Sequence, residues 1–124
     1  MVTNVTSITN LGRSGLFDWV TQRLSAIILA AYTVFILYWL SQHSPSDYEQ
    51  WRALFDGTAM RIFSLLALLA LIVHAWIGIW TIATDYLTSL TFGKAATAVR
   101  LTFLCACALL VFVYLVWGIQ ILWG

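Results

Sequence analysis

His74 is the side chain best placed to do chemistry. It is the one ionisable group between Arg61 and Asp85, inside an otherwise uncharged and mostly apolar run. An ionisable residue within a membrane-depth segment marks a functional site by default. Its neutral imidazole has two uses: donating a hydrogen bond to a neighbouring helix, or ligating a haem iron through a ring nitrogen. A proton relay is the weaker reading, since no second ionisable group lies within two turns. Ala70 and Gly78, one turn to either side, leave room for a flat macrocycle. One histidine cannot ligate both faces of a haem, so the ligand reading requires a second ligand from a partner subunit.

The run ends in Asp85-Tyr86, about 16–18 Å along a helix axis from His74. A tyrosine at a membrane edge is commonly an aromatic anchor. Directly after an acid, its phenol could instead bond a small polar headgroup such as a quinone carbonyl, with Asp85 tuning the phenol or delivering a proton. Arg23, at the mouth of an earlier apolar run, has two readings: snorkelling to lipid headgroups, or pairing with a haem propionate, because a guanidinium matches a carboxylate bidentately.

These residues need helices to carry them. Ala67, Ala70, His74, Gly78, Thr81 and Asp85 recur at three- and four-residue offsets and so share one helical stripe, small or polar, set among bulky Leu, Ile, Val and Trp. A helix in lipid presses such a stripe against a partner. The composition agrees: 62% of the 124 residues are hydrophobic and 9% charged, against roughly 25% charged in an average soluble domain. So short a chain cannot bury that much apolar surface in a soluble core. Net charge is +1, which excludes a nucleic-acid-binding field.

The expected fold is an all-α membrane protein forming a single membrane-anchor domain over 1–124, with three transmembrane helices at about 21–40, 62–82 and 101–122. Each is long enough for a hydrocarbon core of about 30 Å. Residues 1–12 read as a loose polar terminus, and no secretory signal is evident. Residues 41–61 read as a wet loop with a short interfacial helix after Pro45, where His43 is solvated. Residues 83–100 form a shorter polar connection. Arg13, Arg23, Lys94 and Arg100 lie on one side of the spans and Arg52 and Arg61 on the other. The positive-inside rule then puts the N-terminus in the cytoplasm and the C-terminus in the periplasm. Cys105 and Cys107 face about 200° apart on a helix, cannot pair with each other, and read as small packing residues.

The pattern His74-x-Trp76-x-Gly78-x(6)-Asp85-Tyr86 resembles the hydrophobic membrane anchor subunits of bacterial succinate dehydrogenase. The early run Leu11-Gly12-Arg13-x-Gly15-x-x-Asp18-x(4)-Arg23-x-Ser25-Ala26 resembles the N-terminal signature of the same family. The resemblance spans most of the chain, and the third helix adds little to it. It implies a subunit of an inner-membrane respiratory complex that oxidises succinate on a flavoprotein subunit. Electrons pass through an iron–sulfur subunit to ubiquinone. The chain itself would have no dehydrogenase chemistry. It would share one haem b with a second cytochrome b556 membrane subunit, in contact with membrane lipid. By the same resemblance His74 matches the axial ligand, Arg23 a residue near the haem propionates, and Tyr86, with Asp85 beside it, the quinone contact. Phe17 stands where the best-known pattern has a histidine, so no role is carried to it.

A haem-free fumarate reductase anchor is the nearest alternative, and a cofactor-free membrane scaffold is the alternative of another class. A transporter fits poorly, because three unbroken spans without an inverted repeat offer little substrate path.

Overall fold

The computed structural model describes residues 15–44 and 47–124, and everything regular in it is helical. Leu11, Gly12 and Arg13 of the N-terminal signature, and Pro45, lie outside the described residues. Three long helices dominate: α1 (Gly15–Gln42), α3 (Thr58–Asp85) and α5 (Ala96–Trp123). Between them lie the short α2 (Tyr48–Asp56) and α4 (Ser89–Phe92), with a 3-10 turn at Gly93–Ala95.

Each long helix has 28 residues, or about 42 Å at 1.5 Å per residue. By length and composition all three can cross a membrane, and each outlasts a hydrocarbon core of about 30 Å. Their ends therefore continue into the headgroup layers. This explains why α1 starts well before the apolar run: Asp18, Gln22 and Arg23 are helical residues at a wet level.

α3 is the middle helix, packed against α1 on one side and α5 on another. Its buried stripe is Met60, Ser64, Ala67 and Ala70. Small residues let the helix backbones approach, which is how helices associate where lipid is as apolar as the protein. Two interhelical contacts register α1 on α3. Tyr32 and Ser64 share a hydroxyl hydrogen bond of 2.8 Å, and Phe63 meets the edges of Tyr32 and Phe35 with ring centres 5.1 and 5.8 Å away. Along α5, Gly118 makes room for Leu68: a Cβ at 118 would lie 2.6 Å from Leu68 Cδ2.

The loop after α1 is more ordered than the expected wet loop. Asp47 accepts a 3.2 Å hydrogen bond from the Gln50 backbone N–H and starts α2. Tyr48, Trp51 and Phe55 fall on one side of this helix at three- and four-residue offsets. Trp51 meets Trp39 of α1, ring centres 5.6 Å apart. His43 is exposed as expected, yet it is not merely solvated. Its ring stacks on Trp39 at 4.1 Å, and Nδ1 donates to the Trp39 carbonyl at 2.9 Å, satisfying a helix-end acceptor.

The connection over 83–100 also differs from expectation. α3 runs through Asp85, α4 and the 3-10 turn follow, and Arg100 already belongs to α5. Gly93 has φ +60°, a left-handed conformation that glycine adopts without a Cβ penalty, and it turns the chain back into α5. Cys105 and Cys107 are free thiols.

Candidate functional site

The site is built on the seam between α1 and α3. Ser25 is 4% exposed, and its Oγ lies 3.1 Å from His74 Nδ1 and 2.9 Å from the Gln22 carbonyl oxygen. A serine hydroxyl has one proton, and a carbonyl oxygen can only accept. The consistent chain therefore runs from His74 Nδ1–H to Ser25 Oγ–H to the Gln22 carbonyl. Serine back-bonding to a carbonyl of the preceding turn is common in helices. In a neutral imidazole with its proton on Nδ1, Nε2 keeps the lone pair that a metal needs.

His74 itself is half-buried. One turn further on, a Cβ added to Gly78 would meet nothing within 4 Å, so the surface beside His74 is open there. Ala70 does not share that opening: it is 6% exposed and buried within the chain, as is Ala67. The small-residue stripe thus divides at His74. Its first half packs internally, and its second half, with Gly78 half-buried and Thr81 and Asp85 exposed, is uncovered. Among the described residues no group of three or more His, Cys, Asp or Glu could hold a metal ion. At this seam the imidazole is that of His74 alone among the described residues.

Arg23 sits two residues after Thr21 and two before Ser25, about 200° around α1 from the latter. It is exposed, and its guanidinium stacks 4.1 Å from the Trp19 ring centre, a cation–π contact. The structure does not bring Arg23 to His74. Asp85 closes α3, and the Tyr86 backbone N–H donates to the Ile82 carbonyl at 3.0 Å. The Tyr86 side chain is 69% exposed, and its phenol forms no hydrogen bond among the described residues. Asp85 and Tyr86 are neighbours in the chain without a side-chain bond between them. Phe17 is exposed on the first turns of α1.

Two residues that the sequence reading did not single out as site residues belong to this constellation. One is Ser25, whose signal was a hydroxyl inside an apolar run at the depth of the histidine. The other is Arg100, half-buried at the start of α5, whose Nη2 donates to the Leu87 carbonyl at 3.0 Å. Arg100 Nε is enclosed without a hydrogen-bond partner. Arg100 thereby ties the turn that presents Tyr86 to the third long helix. Ala83 near the end of α3 and Ala96 at the start of α5 are buried, 0% and 6% exposed.

Three long apolar helices with one membrane-depth imidazole and an exposed acid–tyrosine end define a membrane-embedded helical subunit. Residues 4–121 match the family described as succinate dehydrogenase/fumarate reductase transmembrane subunit. The chain is also 40% identical over 111 residues to the succinate dehydrogenase hydrophobic membrane anchor subunit of Coxiella burnetii (strain RSA 493 / Nine Mile phase I), with 90% of each chain covered. The chain belongs to this family of membrane anchors.

Proposed function

We propose that the chain anchors a succinate:ubiquinone oxidoreductase in the bacterial inner membrane, shares one haem b with a second cytochrome b556 membrane subunit, and contributes to the quinone-reduction site. The observation that carries the proposal is the hydrogen bond from His74 Nδ1 to Ser25. It commits one ring nitrogen to the protein and leaves Nε2 as a ligand, beside the open surface at Gly78. That donor set fits a haem held by one histidine from each of two subunits, and the haem, when bound, stores a single electron.

The chain's own residues then have separate tasks. Ser25 fixes the tautomer and ring orientation of His74, as second-layer partners do for ligating histidines. Arg23 keeps the propionate role that the family resemblance implies only by turning its guanidinium away from the Trp19 ring it stacks on here. At the other end of the stripe, the Tyr86 phenol donates a hydrogen bond to a quinone carbonyl oxygen, and Asp85 beside it supports proton delivery. Arg100 holds the Tyr86 turn in place. The excess of Lys and Arg at the Asp85 end supports a cytoplasmic location for that end, where the iron–sulfur and flavoprotein subunits would dock and feed electrons toward the quinone.

The test is a reduced-minus-oxidised spectrum of the complex, co-expressed with its partner subunits and purified in detergent. Wild type is expected to show a b-type haem, and His74→Ala is expected to lose it while the subunits still copurify. A spectrum unchanged in His74→Ala would overturn the ligand assignment.

A further inference from the structure

The opposite end of the bundle carries a separate feature. A cavity of about 660 Å³ lies between α2, the first turn of α3 and the last turn of α5. Two guanidinium groups, Arg52 and Arg61, and two indoles, Trp51 and Trp123, line it. Arg61 is held in place: Nε donates to the Phe55 carbonyl at 2.9 Å, and Nη2 lies 3.9 Å from Asp56 Oδ1. Arg52 is exposed and forms no hydrogen bond or ion pair among the described residues.

The level of this cavity is set by the helices that frame it. α3 begins there and α5 ends there, so it lies where the spans leave the hydrocarbon. Tryptophan is enriched at that depth because an indole is apolar with one polar edge. An arginine pair at the same depth faces lipid phosphates, and guanidinium matches their oxygens in a planar fork. Directly below the cavity, Ile121, Trp117 and Tyr114 follow each other at helical spacing on α5 and are all exposed. The Tyr114 and Trp117 rings are nearly parallel, 13° apart in plane. A headgroup seated in the cavity would have its acyl chains lying on that apolar track.

We propose that this cavity is a headgroup site for the phosphate of a glycerophospholipid in the leaflet opposite the Asp85–Tyr86 end. Arg61 is already paired with Asp56, which leaves the exposed Arg52 guanidinium as the group free to meet a headgroup phosphate. The Arg52 contact gives phosphate recognition, Arg61 is pre-positioned by its own hydrogen bond, and Trp51 and Trp123 flank the glycerol level. This inference rests on the spanning helices alone and is independent of the haem and quinone assignments.

The experiment is native mass spectrometry of the assembled complex in a nonionic detergent, titrated with dioleoyl phosphatidylglycerol. Dioleoylglycerol and inorganic phosphate serve as separate probes. Wild type is expected to hold phosphatidylglycerol, to ignore dioleoylglycerol, and to keep its lipid in the presence of inorganic phosphate. Arg52→Gln is expected to weaken one lipid site about fivefold, the scale of a single cationic side chain at a membrane surface. Arg52→Lys should restore most of it. Equal affinities in wild type and Arg52→Gln would mean that a partner chain or solvent fills the cavity, and would overturn the proposal. Displacement by inorganic phosphate would identify a free-anion site instead and overturn the lipid assignment.

Discussion

Ser25 Oγ and His74 Nδ1 lie 3.1 Å apart across the α1–α3 seam, joining the buried hydroxyl of one spanning helix to the membrane-depth imidazole of the next. The contact registers two helices and sets the protonation pattern of a ring. The first role stabilises the pair by only about 0.6 kcal/mol, the average for such bonds in a membrane. The second has the larger consequence, because it decides which nitrogen faces outward.

Ser25→Ala is expected to leave the subunits assembled but loosen the haem. Loss of the hydrogen-bond acceptor behind a ligating histidine lowers metal affinity by about 10- to 100-fold. It also lowers the basicity of the imidazole, so the haem midpoint potential should rise. Haem retained per complex after detergent washing and a redox titration measure the two effects. If both are unchanged, Ser25 has no part in the site.

Tyr86→Phe removes one hydroxyl from an exposed side chain that packs against little, so folding should be untouched. Succinate oxidation with a soluble dye acceptor is expected at the wild-type rate. Quinone reduction should slow by about tenfold, the worth of one hydrogen bond of roughly 1.4 kcal/mol at the rate-limiting barrier. Equal quinone rates in the two proteins would assign Tyr86 to the lipid interface.

Arg100→Gln should release the Leu87 carbonyl and let the turn after α3 open. Hydrogen exchange at the backbone amides around residues 86–89 is expected to speed up, and the KM for quinone to rise more than kcat falls. Arg100→Lys, which keeps the charge and a donor, should recover part of both. Unchanged exchange in Arg100→Gln would show that the turn is held by other contacts.

Gly118→Val drives a side chain into Leu68, whose Cδ2 lies 2.6 Å from where a Cβ would sit. Overpacking of this kind costs about 1–3 kcal/mol, to be seen as a lower thermal midpoint of the assembled complex. Leu68→Ala in the same chain should restore part of the loss, because it vacates the space the new side chain needs.

The three long helices were legible because lipid demands a continuous apolar run and leaves little freedom about where it falls. His74 stood out for the same reason: a single ionisable group has no disguise in such a run. The serine that serves it stood only within the N-terminal signature and carried no role, since which hydroxyl meets the imidazole depends on how the helices are set in register. Ala70 shows the converse error. Its small side chain was read as clearance for a macrocycle, but small residues also serve helix–helix contact, and here that is the use made of it. Arg100 was counted only as a charge near a span. Its bond to Leu87 depends on how the chain turns at Gly93, which spacing along one helix does not encode. α2 was anticipated as a short interfacial helix after Pro45, whereas the helical course of 83–100 was hidden by its polar composition.

Among the described residues no large side chain is fully buried, although α3 has neighbours on two sides. A lone copy of this chain therefore lacks the interior by which a cell's surveillance machinery distinguishes a finished protein from an orphan. Its half-life should follow the supply of its partner: copies made in excess expose the Gly78–Asp85 face to membrane proteases and are cleared.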